Sequence, residues 1–119
     1  MAGWRMERVN QLILEEVAAV IQNDLRDPAI GFVTVLTVDT APDLKNCTVY
    51  ISQMGNEEER KASVEALNKA AAFVRRAIMP RLELRIVPAL VFKLDETVER
   101  AARISALLKP GARVEGDLD

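Results

Sequence analysis

Lys69-Ala-Ala-Ala-Phe-Val-Arg-Arg-Ala-Ile-Met-Pro-Arg-Leu-Glu-Leu-Arg85 gathers five bases and one acid in a chain of 119 residues whose formal net charge is -2. Its apolar residues continue a pattern that begins upstream. Val64, Leu67, Ala71, Val74 and Ile78 recur at three- and four-residue steps, the spacing of one helix face. Asn56 followed by Glu57, Glu58 and Glu59 reads as the start of this helix, because carboxylates near an N-terminus complement the helix dipole. Pro80 lacks an N–H and predicts a stop after Met79. A helical connection of this length allows the strands on either side of it to lie parallel, joined by a right-handed crossover.

Those strands, and an earlier one, are legible from composition. Residues 30–39 are rich in β-branched side chains, and residues 45–54 alternate Cys47, Val49 and Ile51 with Thr48, Tyr50 and Ser52, so both read as strands. Thr40-Ala-Pro-Asp-Leu44 between them has turn chemistry: Pro42 presets its dihedral and Asp43 can bond nearby backbone. The pair is expected to form an antiparallel hairpin. Residues 83–94 alternate Leu84, Ile86, Pro88, Leu90, Phe92 and Leu94. They predict a third strand, placed at a sheet edge because Pro88 cannot donate to a ladder.

At the N-terminal side, Val9, Leu12, Ile13, Val17, Val20, Ile21 and Leu25 mark an amphipathic helix from Trp4 to about Leu25, closed near Asp27 by Pro28. At the C-terminal side, Asp95 or Thr97 can cap a short last helix that buries Val98, Ala101, Ile104 and Leu107-Leu108 before Pro110-Gly111. The expected fold is an α+β sandwich in the order helix, strand, strand, helix, strand, helix, with the helices on one face of the sheet. One domain covers residues 1–109, and residues 110–119 form a short polar tail.

Composition narrows the function. Half of the residues are hydrophobic and 29% are charged, which suits a folded soluble domain. The N-terminus lacks a signal-peptide pattern and no apolar run is long enough for a bilayer, so no membrane association is expected and a cytoplasmic location is. Cys47, the single cysteine, cannot form an internal disulfide and fits a small core residue. There is no histidine, which removes Ser-His and Cys-His nucleophile systems and the commonest zinc sets. Neither a metal nor a cofactor is expected. The carboxylates Asp27, Asp39 and Asp43, candidates for a hydrolase, read better as turn and strand-end residues.

Charge is unevenly placed. Residues 1–59 carry four bases against ten acids, a net of -6, whereas residues 60–113 carry twelve bases against five acids, a net of +7. One basic surface can therefore meet phosphate despite the acidic total. On a helical projection Lys69 and Arg76 lie opposite the apolar stripe, with Arg75 at its margin. With Arg81 and Arg85 beyond the proline, they make a cluster in which only Glu83 supplies negative charge, and as a group they point to phosphate contact. Phe73 would share their side of an uninterrupted helix. It either offers a stacking surface to a base or returns to the core through an interruption near Ala70 to Ala72; the second reading is preferred.

Several segments together resemble the ribosome-binding factor A family of bacterial small-subunit assembly factors. They are Arg5-x-x-Arg8-Val9, Arg26-Asp27-Pro28 with Gly31 and Val33-Thr34-Val35, Pro42-Asp43-Leu44, Val49-Tyr50, Leu67-Asn68-Lys69-Ala70-Ala71, Phe73-Val74-Arg75, Leu84-Arg85, Pro88-x-Leu90-x-Phe92 and Asp95. The resemblance implies a type II KH-like domain with a three-stranded mixed sheet, in which an Ala-x-Gly helical kink replaces the usual Gly-x-x-Gly loop. Here Ala70-Ala71-Ala72 occupies the kink, with alanine where the family usually has glycine. It also implies a noncatalytic, monomeric factor whose partners are the immature 30S subunit and 16S ribosomal RNA, acting in late maturation and 5'-end processing. The expected RNA contacts are Lys69, Arg75, Arg76, Arg81 and Arg85, with Arg5 and Arg8 as additional ones. A protein-interaction module using the edge of the third strand is the alternative.

Overall fold

The computed structural model describes residues 2–25 and 27–95, with side chains from Arg5 onward. The expected helix at 97–108 and the tail at 110–119 lie outside the described residues. The elements are α1 (Ala2–Asn23), β1 (Thr34–Thr40), β2 (Asn46–Ser52), α2 (Glu57–Lys69), α3 (Ala71–Leu82) and β3 (Ala89–Leu94).

The sheet has the order β1-β2-β3. β1 pairs antiparallel with β2, from Thr34↔Ser52 to Thr40↔Cys47, with an irregularity between Val35 and Thr37. β2 pairs parallel with β3, from Asn46↔Ala89 to Ile51↔Leu94. The hairpin turn forms as its residues predict: Leu44 adopts φ 64°, its N–H donates to Ala41, and the Asp43 carboxylate accepts the Lys45 N–H at 2.9 Å. Among the described residues β3 is an outer strand, as expected, although Pro88 lies just before it and is itself fully buried. The third strand is shorter than its sequence pattern, because Glu83 takes a left-handed conformation at φ 53° and the chain reaches the ladder only at Ala89.

Alternate strand residues bury against the helices. Val38, Cys47, Val49, Ile51, Leu90 and Phe92 meet Ile13, Val17 and Val20 of α1, Leu67 of α2, and Val74, Ile78 and Leu82 of α3 in one core. At 25–30 cal/mol per Å2 of apolar surface, each of these larger side chains contributes about 1.5–3 kcal/mol. Cys47 is 1% exposed, and burial pushes its thiol up from the ordinary value of 9.0.

Two expectations need correction. Pro80 does not end the helix: α3 runs through it to Leu82. The proline forfeits one i→i−4 bond in the last turn, but Ile78 and Leu82, 0% and 3% exposed, hold that turn on the core. Phe73 does not return to the core either; it is 43% exposed. The helix breaks at Ala70, and the new phase turns Val74, Ile78 and Leu82 inward at four-residue steps. Phe73 sits about 100° around the helix from Val74 and stays on the rim of the outer face.

Candidate nucleic-acid interface

The interruption between α2 and α3 organises the site. Ala70 closes α2 and opens α3 with φ -90° and ψ 1°. Its N–H is shared between the carbonyls of Ala66 and Leu67, both at 3.1 Å, while its own carbonyl accepts the Val74 N–H at 2.9 Å. A negative φ is open to any L-residue, so alanine makes this break without the freedom of glycine. No side chain caps the N-terminus of α3.

Asn68 fixes the break against the sheet. Its side-chain amide donates to the Phe92 carbonyl at 3.0 Å and its Oδ1 accepts the Phe92 N–H at 2.8 Å. The start of α2 is secured separately by a capping box, in which Asn56 and Glu59 exchange side-chain and backbone bonds at 2.7 and 2.8 Å. In the sequence Asn68 stands out only as part of a motif. A hint is nevertheless present: asparagine is a poor helix interior residue that favours local backbone bonding, and here it stands in the last turn.

The predicted bases divide by environment. Lys69 and Arg76 are exposed on the outer side of the broken helix, and Arg85 is exposed in the segment leading to β3. Arg75 is half-buried, and its Nε donates to the Val87 carbonyl at 2.9 Å, which ties α3 to that segment. Arg81 keeps a 53% exposed side chain but approaches Glu16 of α1 at 3.3 Å. Arg5 and Arg8 are exposed on the first turns of α1, and α1 packs against α3. Asn10 of the same helix accepts from both the N–H and the hydroxyl of Thr40, at 3.1 and 2.6 Å, which sets the N-terminal end of α1 over the end of β1. Arg5, Arg8, Arg75 and Arg85 therefore gather toward the end of the sheet where Thr40 meets Cys47 and Asn46 meets Ala89.

Phe73, Arg76 and Met79 share the outer face of α3, with the aromatic ring and Met79 43% and 38% exposed. A flat apolar ring beside a guanidinium can stack a base while the charge meets its phosphate. The ring is thus a candidate site residue, in line with the stacking reading, the less favoured of the two that its sequence position offers. The carboxylates offered as hydrolase candidates do not converge: Asp27 and Asp43 accept from the backbone N–H two residues on, and Asp39 is exposed on β1. Among the described residues no three His, Cys, Asp or Glu side chains are grouped to hold a metal ion, and no helix is long and apolar enough to cross a membrane.

Comparison with known proteins gives the family and the fold. A family model described as ribosome-binding factor A matches residues 5–108. The ribosome-binding factor A of Thermomicrobium roseum is 44% identical over 109 residues, which is 92% of this chain and 84% of that protein. The crystal structure of ribosome-binding factor A from Thermus thermophilus superposes with a TM-score of 0.67 at 25% identity, over 75% of this chain and 94% of that one. A homology model of the Thermus thermophilus factor, fitted into an electron cryomicroscopy map of its complex with the 30S subunit, has a TM-score of 0.59 at 26% identity, over 71% and 88% of the two chains. The fold shared with these structures is the α+β, KH-like one.

Proposed function

Because the chain belongs to the ribosome-binding factor A family, we propose that it is a noncatalytic assembly factor. It binds the immature 30S subunit in the cytoplasm, contacts 16S ribosomal RNA and promotes late maturation, including processing at the RNA 5' end. The observation that carries the RNA contact is the outer face of α3 and its approaches, where Lys69, Arg76 and Arg85 stand exposed beside Phe73. The mechanism is occupancy: charge-assisted bonds to phosphate hold the domain on one RNA conformer and raise that conformer's population.

Arg81 joins this surface by exchanging Glu16 for a phosphate, since an exposed ion pair contributes only about 0–1 kcal/mol. Arg75 has a double role, because its Nε serves Val87 while the rest of its guanidinium remains half-exposed. The alternative use of the β3 edge as a strand-addition site is disfavoured, because Asn68 already occupies both backbone groups of Phe92. Cosedimentation with immature 30S particles tests the reading. Binding that falls steeply with salt and with charge reversal at Arg76 and Arg85 is expected; retention of full binding by that variant would refute the site.

A further inference from the structure

Phe32 is 96% exposed, although burying such a ring is favourable by about 1.5–3 kcal/mol. It does not sit on a slack loop. Ile30, two residues before it, is 4% exposed in the core, and its carbonyl accepts the Ser63 hydroxyl at 2.6 Å. Gly31 takes φ 64° with its α-carbon facing Gln53 and Ser63. The backbone is therefore fixed on the side where the ring departs.

Met54, 67% exposed, is held by the same buried pair. Gln53 precedes it and donates to Ser63 at 3.0 Å, so one buried hydrogen-bonded unit positions both apolar side chains. Phe32 and Met54 line a common cleft of about 370 Å3. On the other side of Phe32 a second cleft of about 550 Å3 is bordered by Ile21, Leu25, Val33 and Val35. An aromatic anchor on rigid backbone between two clefts matches the centre of a protein interface.

The surrounding charge selects the partner. Residues 24–34 and 53–60 carry five acids, Asp24, Asp27, Glu57, Glu58 and Glu59, against two bases, Arg26 and Arg60; the Arg60 guanidinium donates to the Gly55 carbonyl, and Glu59 borders the cleft itself. That balance opposes phosphate and favours a cation. The patch also lies at the sheet end where Thr34 meets Ser52, away from the end that gathers Arg5, Arg8, Arg75 and Arg85. We infer that Phe32 and Met54 form an acid-rimmed docking site for a basic protein segment bearing an apolar side chain, exposed on the small-subunit particle. This inference rests on the proposed 30S binding. The domain would then bridge RNA at one end of its sheet and protein at the other.

The test compares binding of the full chain to 30S particles and to protein-free 16S ribosomal RNA. The Phe32→Ser, Met54→Ser double variant should lose about tenfold or more on 30S particles, as truncated interface anchors do, and nothing on protein-free RNA. Glu59→Gln, which retains the capping bond, should weaken only the 30S complex. Equal losses on protein-free RNA would assign the patch to base stacking and overturn the inference. Unchanged 30S binding, or a wild-type dimer that the double variant converts to monomer, would overturn it as well. So would a fall of more than a few degrees in the melting temperature of the double variant, which would place the ring in a contact within the chain. Failure of the wild-type chain to bind 30S particles would instead refute the proposed function.

Discussion

The side chain of Asn68 and the main chain of Phe92 bond in both directions, at 3.0 and 2.8 Å, so a helix side chain completes one rung on the outer side of β3. This rung blunts an edge that could otherwise recruit another strand, and it sets where α2 gives way to α3 relative to the sheet. Asn68→Ala leaves both backbone groups without this partner. The expected loss is about 1–3 kcal/mol, seen in urea denaturation as a lower midpoint at unchanged slope. A midpoint equal to wild type would mean that the rung contributes nothing to stability.

Arg75 and Arg76 are neighbours with different duties. Arg75→Ala removes the bond to Val87 and should lower the melting temperature, whereas Arg76→Ala, on the exposed face, should change stability by less than about 0.5 kcal/mol. Only Arg76→Ala should weaken 16S ribosomal RNA binding without a thermal shift. Paired calorimetric and filter-binding measurements separate the two residues, and identical thermal behaviour would contradict the division.

Phe73 offers a second handle on the RNA face. Replacing an exposed ring that stacks a base costs about 1–3 kcal/mol of binding, while a ring 43% exposed leaves only part of its burial energy to lose. Phe73→Ala should therefore reduce RNA affinity by roughly fivefold or more. Phe73→Tyr should retain it. Fluorescence anisotropy with a 16S-derived single-stranded RNA reads both, and equal affinity of Phe73→Ala and wild type would exclude stacking.

Alanine at position 72 tests what the kink requires. The break falls on Ala70 at φ -90°, so a glycine at 72 supplies no conformation that the chain lacks. Ala72→Gly should cost up to about 0.5–1 kcal/mol of stability and leave 30S cosedimentation unaltered. A large gain in binding would show that the kink angle depends on glycine.

The Cys47 thiol gives a pH dependence with a definite sign. Burial raises its pKa above 9.0, with Asp39 adding to the shift and the Thr40 hydrogen bond opposing it. The neutral thiol is thus favoured in the folded state, and its contribution is complete below the unfolded value and lost as pH rises through the native one. Stability should decline above about pH 9 more in the wild type than in Cys47→Ala. The native thiol should also react slowly with a disulfide reagent near pH 8 and rapidly in denaturant.

Periodicity and turn chemistry reveal the order of elements, the hairpin at Pro42-Asp43 and the parallel pairing of β2 with β3, because each depends on local spacing. Pro80 misleads for the same reason: a local rule against helix continuation loses to the long-range burial of Leu82. Phe73 turns on helical phase, which a run of three alanines leaves unmarked, since none of them shows which side faces the core. The Asn68 rung joins residues far apart in the chain and has no local trace beyond an ill-placed asparagine. The bases of the candidate site are legible as a cluster, but the engagement of Arg75 with Val87 and of Arg81 with Glu16 needs three dimensions.

The central position of β2 has a kinetic consequence. Its first neighbour is the adjacent hairpin strand, but its second arrives only after α2 and α3 have been made and laid down. During synthesis the hairpin therefore waits with one open side, and closing it is the slow, high-contact-order event of folding. A chain that stalls before Ala89 would keep the β2 edge from Asn46 to Ile51 without its parallel partner, an open strand able to recruit another chain, so the surveillance of unfinished copies by chaperones should concentrate on that interval of translation.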